Sequence, residues 1–347
     1  MGLKDVYEPY FKIGTSVSWR NLESEQAKSE LKKHYNSITA ENGMKPMFYL
    51  DKEENQAHPD KYKLEPALKF DVPRMFLNFA KENGLALRGH VLVWHGQTPF
   101  WFFKENYEDD MEAPLADKET MLARMESMIK GVLTFVQTEY PGLIYAWDVV
   151  NEAAEENEED GWRKRSFWHK IIGEDFVKYA FRFARKYAAE GVKLFYNDYN
   201  AFMPFKCEKI CENILKPLLA ECLIDGMGMQ SHLILKDHDL VDYEKALHTY
   251  GSLGLEVQAT ELDIHATDPS EEGMEMLAER YGKLFRILLK AKKEGKANVT
   301  SVTFWGMKDD ESWLSGFRKE KSYPMLFDDN YGEKAAYYAV VKAVEEI

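Results

Sequence analysis

Short apolar runs alternate along the chain with longer segments whose apolar residues recur every three to four positions. The short runs read as buried strands: Lys12–Val17, Ser37–Ala40, Leu85–Val93, Ile144–Val150, Val192–Tyr196, Gly226–Met229, Glu256–Thr260 and Ser301–Phe304. The longer segments read as amphipathic helices: Leu22–Tyr35, Val72–Asn83 (before Gly84), Lys118–Tyr140 (before Pro141), Asp175–Glu190 (before Gly191), Phe205–Cys222, Leu240–Tyr250, Met274–Glu294 (before Gly295) and Lys334–Ile347. In the fourth helix, Phe176, Tyr179, Ala180, Phe183 and Tyr187 mark the apolar face. Eight strands, each followed by a helix, call for parallel pairing through right-handed crossovers. A closed (β/α)₈ TIM barrel leaves no strand over, and 347 residues is an ordinary length for one. No Pro/Gly/Ser linker, repeat or low-complexity tract divides the chain, so residues 1–347 read as a single α/β domain. The longest irregular stretches, Tyr49–Phe70, Phe100–Lys118 and Met307–Gly332, follow strands two, three and eight and are expected to extend one face of the barrel.

In a barrel the functional face lies at the C-terminal ends of the strands, and polar residues gather there. Strand two is followed by Glu41, Asn42 and Lys45. In and after strand three come His90, Trp94, His95 and Gln97. Strand four delivers Asn151 and Glu152, and strand five Asn197, Asp198, Tyr199 and Asn200. Gln230 and His232 follow strand six, Glu261 and Asp263 strand seven, and Trp305 and Trp313 strand eight. Two stretches stand out, Ala146-Trp147-Asp148-Val149-Val150-Asn151-Glu152 and Gln258-Ala259-Thr260-Glu261-Leu262-Asp263-Ile264, because each is an apolar strand that ends in acid. A carboxyl group at the end of a buried strand is shielded from bulk water, which favours its protonated form, as a general acid requires. Strands four and seven lie three places apart around the ring, so Glu152 and Glu261 should face each other across its mouth. Such pairs cleave glycosidic bonds, with separations of about 5–5.5 Å for retention and about 6.5–9.5 Å for inversion.

Composition narrows the partners. Lys and Arg number 45 against 59 Asp and Glu, a formal charge of −14, which disfavours nucleic acid and anionic membrane. The 19 Tyr, 20 Phe and 8 Trp favour stacking on an apolar ring face. Cys207 and Cys211 lie four apart on one helix with Cys222 farther on, an odd set that reads as reduced thiols rather than a disulfide framework or metal site. No basic segment leads into an apolar signal region at the N-terminus and no window approaches a membrane span. That points to a cytoplasmic protein, or to a secreted one whose signal has been removed.

Five motifs carry a resemblance. They are Thr39-Ala40-Glu41-Asn42-Gly43-Met44-Lys45, Arg88-Gly89-His90-Val91-Leu92-Val93-Trp94-His95-Gly96-Gln97, Trp147-Asp148-Val149-Val150-Asn151-Glu152, Gly228-Met229-Gln230-Ser231-His232 and Thr260-Glu261-Leu262-Asp263. With them the chain resembles glycoside hydrolase family 10, the retaining endo-β-1,4-xylanases, over essentially its whole length. The resemblance implies Glu152 as acid/base and Glu261 as nucleophile acting on xylan or xylo-oligosaccharides, with no cofactor and no metal. It further implies that Glu41, Asn42, Lys45, His90, Trp94 and Gln97 line the glycone side. Asn151, Gln230, His232, Trp305 and Trp313 would surround the sugar at the point of cleavage, with Tyr199 near the aglycone side. His232 and Gln230 are expected to hold Glu261 ionised, and Asn151 to reach the sugar's 2-hydroxyl. Gly96 departs from the serine of many members, His265 is also a departure, and the loop Glu53–Lys63 (Asn55, Gln56, His58) is expected to border the glycone side.

Two rival readings fit parts of the sequence. A metal-dependent barrel hydrolase would use His90, His95, His232 and His265, but no His-x-His pair ends strand one and no carbamylation lysine stands out at strand four. A carbohydrate-binding barrel without catalysis is disfavoured because both glutamates are present. Within the hydrolase reading, activity on β-1,4-glucan or aryl glycosides is the runner-up.

Overall fold

The computed structural model describes residues 2–237 and 239–347. Its strands are β1 (Lys12–Val17), β2 (Ser37–Ala40), β3 (Ala86–Trp94), β4 (Ile144–Asn151), β5 (Lys193–Asp198), β6 (Gly226–Met229), β7 (His232–Ile234), β8 (Glu256–His265) and β9 (Asn298–Phe304). They pair in the order β6-β5-β4-β3-β2-β1-β9-β8, every pairing is parallel, and β6 pairs with β8 to close the ring. The expected TIM barrel is therefore present, with β8 and β9 as its seventh and eighth staves. β7 is an added three-residue strand that rides on β8 through the pair His232↔Asp263. This extra partner explains why β8 runs on to His265 instead of stopping at Thr260: the backbone beyond Thr260 has a neighbour to bond.

The lumen is not purely apolar. Arg88 on β3 donates from Nε to Gln258 Oε1 on β8 at 2.8 Å, a bond that crosses the ring because those strands are not neighbours. Its Nη2 lies 2.6 Å from Asp148 Oδ1 and its Nη1 bonds the other oxygen, while His90 Nδ1 approaches Asp148 Oδ2 at 2.8 Å. Arg88 and Asp148 are 1% and 0% exposed, so this buried ion pair depends on complete pairing. Gly89 on the same strand leaves room for Trp147, since a Cβ there would sit 2.3 Å from the indole.

The helical coat differs from the sequence reading in instructive ways. The segment Leu22–Tyr35 is two helices, Trp19–Glu23 and Glu25–His34, because Ser24 is extended and its Oγ accepts from Ala27 N at 3.2 Å as an N-cap. Phe205–Cys222 is likewise interrupted, by a π-turn at Cys211–Leu215 just before Pro217, which has no N–H to continue an α ladder. In Phe176–Tyr187 the fully buried stripe is Phe176, Val177, Ala180, Phe181 and Ala184, whereas Tyr179, Phe183 and Tyr187 pack on the flank. Tyr187 there donates to Glu126 of the neighbouring helix at 2.7 Å. The last helix ends at Lys342. The long irregular stretches carry the short helices Lys52–Ala57 and Trp313–Arg318. The three cysteines are free thiols. Among the described residues no helix is long and apolar enough to cross a membrane.

Candidate active site

Four residues just past strand ends take left-handed backbone conformations: Gln97 (φ 46°), Glu152 (57°), Asn200 (49°) and Ser231 (66°). Residues other than glycine rarely do so, and where they do the surroundings must hold them there. At Glu152 the reversal turns the first residue after β4 back over the ring, its N–H still bonded to Asn197 O at 2.9 Å. Glu261 is held differently. It lies inside β8, its N–H bonded to Gln230 O at 2.9 Å.

Both carboxylates line one cleft of about 530 Å³. Glu152, its side chain 14% exposed and so shielded as expected, accepts from Gln230 Nε2 at 2.8 Å, Asn151 Nδ2 at 3.2 Å and Trp94 Nε1 at 2.9 Å. Glu261 accepts from Asn197 Nδ2 at 2.8 Å and meets His232 Nε2 at 3.2 Å. A chain of amides joins the two acids. Gln230 Nε2 and Asn197 Nδ2 both donate to Asn151 Oδ1, at 3.2 and 2.9 Å. The second carboxylate is thus reached from the first through consecutive polar contacts of 2.8 to 3.2 Å.

Cationic neighbours set the electrostatics of Glu261. Burial by itself would push Glu261 up, but the His232 hydrogen bond and the charges of His90, His232 and Lys45 outweigh it and hold the carboxyl at about 2. For His232 burial works against the cation, yet Asp263 (Nδ1 to Oδ1, 2.9 Å) and Glu261 raise it to about 10, an imidazolium at neutral pH. Glu152 meets only neutral donors within hydrogen-bond reach, while His95 Nε2 lies 4.0 Å away. Burial lowers His95 to about 4 against the pull of Glu152, so its ring is neutral.

All fourteen site residues expected from the sequence line this cleft: Glu41, Asn42, Lys45, His90, Trp94, Gln97, Asn151, Glu152, Tyr199, Gln230, His232, Glu261, Trp305 and Trp313. Lys45 bonds Asn42 Oδ1 at 3.0 Å with its ammonium 4.9 Å from the Trp94 ring centroid. Trp313 is fixed by Nε1 to Asp263 Oδ2 at 2.9 Å, and Trp305 stands edge-on to His90 at 5.7 Å. One expectation is corrected. Gln230's side chain serves Glu152, not Glu261, because its amide points across the ring towards β4. Asn151's amide nitrogen donates to Glu152 Oε1 at 3.2 Å. In the loop 53–63, Asn55 and Gln56 bond the backbone of Asp51, Ala67 and Tyr107, so these two side chains fasten the loop itself. Of the two departures from the family pattern, Gly96 leaves space that the Trp94 indole fills, a Cβ there falling 2.7 Å from its ring. His265 bonds Ser322 Oγ (2.9 Å) and Glu320 Oε1 (3.1 Å). Among the described residues no group of three or more His, Cys, Asp and Glu is placed to hold a metal ion.

The sequence profile described as glycosyl hydrolase family 10 matches residues 2–343. The chain belongs to glycosyl hydrolase family 10. Among its relatives, endo-1,4-beta-xylanase B of Butyrivibrio fibrisolvens is 55% identical over 99% of this chain and 53% of its own length. Endo-1,4-beta-xylanase A of Thermotoga neapolitana is 40% identical over 98% of this chain and 30% of its own. The chain thus spans about half or less of these two relatives. An endo-1,4-beta-xylanase structure from Caldicellulosiruptor owensensis, 38% identical, superposes with a TM-score of 0.84 over 98% of this chain and 99% of that one. The CBM22-1–GH10 modules of a Clostridium thermocellum endo-1,4-beta-D-xylanase, complexed with xylohexaose, are 34% identical with a TM-score of 0.89 over 99% of this chain and 67% of that one.

The sequence did not mark Leu233, Leu314, Phe317 and Arg318, which also line the cleft, and it placed Asn200 only at a strand end. Asn197, for which the sequence predicts only a place at a strand end, bonds Glu261 and Asn151 and accepts from Thr260 Oγ1 at 2.6 Å. The signal for it was its position, one step before Asp198 at the end of an apolar strand, shared with Asn151 on the adjacent strand.

Proposed function

We propose that this family 10 protein is a retaining endo-1,4-β-xylanase, with Glu261 as nucleophile and Glu152 as acid/base. The observation that carries the reading is the unequal treatment of two carboxylates in one cleft: Glu261 is kept anionic beside an imidazolium, and Glu152 meets only neutral hydrogen-bond donors. Glu261 attacks the anomeric carbon while Glu152 passes its proton to the departing glycosidic oxygen, whose bond to that carbon breaks. Glu152, now a carboxylate, takes a proton from water. The resulting oxygen displaces Glu261 from the same carbon and Glu152 ends protonated again. Esterification of Glu261 removes a neighbouring negative charge, which suits Glu152 to act as base in the second step. Trp305 and Trp313 offer ring faces to a pyranose. Support for a xylan-type substrate comes from the relatives' names and from the xylohexaose bound by the Clostridium thermocellum enzyme.

The test is hydrolysis of xylan, cellulose and xylohexaose with NMR of the first-formed anomer. Release of β-anomer from xylan is expected, with cellulose little touched and Glu261→Ala inactive on all three. An α-anomer or a fully active Glu261→Ala would overturn the assignment. A cytoplasmic address is part of the same proposal, supported by an intracellular xylanase from Thermoanaerobacterium saccharolyticum, 33% identical with a TM-score of 0.84. Fractionation of the native cells, with activity found in the medium, would refute it.

A further inference from the structure

The loop after β4 contains a cation that the reaction scheme does not use. Arg163 has a side chain only 2% exposed and spends its donors on the turn that carries Glu152. Nε donates to the Glu152 carbonyl at 2.8 Å, Nη1 to Glu155 Oε2 at 2.7 Å, and Nη2 to the Ala154 carbonyl at 3.2 Å and the Tyr199 hydroxyl at 2.7 Å. Its own N–H donates to Ala153 O at 2.9 Å. From the other side, Ala153 N and Ala154 N both donate to the Tyr196 hydroxyl at 3.0 Å. A guanidinium fork that bonds two backbone carbonyls of one turn and a carboxylate fixes orientation as well as distance. What it fixes is the left-handed conformation of Glu152, which the chain would not adopt unaided.

The fourth partner leads to the cleft wall. The Tyr199 hydroxyl accepts from Arg163, so its own proton is left to donate towards a sugar. The Tyr199 ring rests 3.4 Å from the ammonium of Lys206, a fully buried side chain held by Asp198 Oδ1 at 2.8 Å and Glu156 Oε2 at 3.2 Å. Tyr199 is therefore backed by one fixed cation and bonded by another.

We propose that Arg163 is a positioning residue that holds Glu152 in the turn from which its carboxyl reaches the departing oxygen, and that it ties this turn to the aglycone wall through Tyr199. The proposal rests on the acid/base reading of Glu152. A misplaced acid harms only reactions that need a proton on the leaving group, so the loss must depend on that group.

The experiment compares kcat/KM on xylohexaose, whose leaving group is a poor alcohol, with kcat/KM on 2,4-dinitrophenyl β-xylobioside, whose phenolate leaves unaided. Arg163→Met is expected to lose about 100-fold on xylohexaose and to stay within about threefold of wild type on the activated glycoside. Glu155→Gln, which removes one anchor of the guanidinium outside the cleft, is expected to lose about fivefold on xylohexaose alone. Should Arg163→Met fail to fold, Glu155→Gln decides the matter. Equal losses on both substrates, or no loss on either, overturn the clamp while leaving the xylanase reading intact. A wild-type protein inert towards both substrates overturns that reading first, and the clamp with it.

Discussion

Replacing Asp263 with asparagine removes one negative charge while nearly preserving shape. Asp263 is fully buried and spends one oxygen on His232 Nδ1 and the other on Trp313 Nε1, each at 2.9 Å. Its charge is the chief reason that His232 is raised to about 10 despite burial. Without it the buried ring has no cause to stay cationic at neutral pH, and Glu261 loses its hydrogen-bonded imidazolium. Burial is then opposed only by the charges of His90 and Lys45, and the Glu261 carboxyl rises from about 2 towards its ordinary 4.5. That change is worth about 3 kcal/mol of preference for the anion. At pH 3.5 a nucleophile titrating at about 4.5 is roughly one-tenth ionised, so kcat/KM should fall about tenfold there relative to its own plateau. Wild type should remain near its plateau at the same pH. The assay is kcat/KM for an aryl β-xylobioside between pH 3 and 8, with intrinsic fluorescence showing that the protein stays folded. Wild-type and variant profiles that differ only by a constant factor would refute the argument that His232 keeps Glu261 ionised.

Other outcomes follow from the same structure. Glu152→Ala should lose most of its rate on xylan but keep the first step on dinitrophenyl glycosides, so that a burst of phenolate precedes slow turnover; equal damage to both substrates would contradict the acid role. Arg88→Met should cost about 3–5 kcal/mol in urea unfolding by leaving Asp148 buried without its guanidinium, and a change under about 1 kcal/mol would show that the pair is not structurally important. The raised His232 contributes stability that is complete below 6.5 and lost as pH climbs from there through about 10. The depressed Glu261 contributes stability present above 4.5 and lost as pH falls through about 2. Urea midpoints should therefore peak between these limits, and Asp263→Asn should flatten the alkaline decline; a midpoint rising above pH 7 in wild type would reverse the sign.

What could be read from the sequence depended on local pattern. Glu152 and Glu261 were legible because each interrupts an apolar run, Glu152 just past the end of β4 and Glu261 within β8. The ring followed from strict alternation. Relations across the lumen were not legible: which carboxylate Gln230 serves depends on where its amide points, and the last residues of β8 become strand only because His232–Ile234 comes to lie beside them. Arg163 was hidden in the run Arg163-Lys164-Arg165, where the third side chain is 71% exposed and the first 2%. Charge runs usually face water, and only the fold shows which member turns inward. The break before Pro217 carried a sequence signal, but the helical periodicity around it outweighed that single residue.

Glu261 sits within a strand whose pairing is made by main chain, so shortening its side chain should leave the backbone undisturbed. An alanine there would open a vacancy faced by Asn197 Nδ2 and by the cationic His232, two donors already aimed at one small anion. Formate or azide added to such a protein would find a preformed seat beside the anomeric carbon. On the proposed reading, a xylosyl fluoride of opposite configuration would lose fluoride to the oxygen of an acceptor sugar, with Glu152 taking that hydroxyl's proton, so that the variant would build chains.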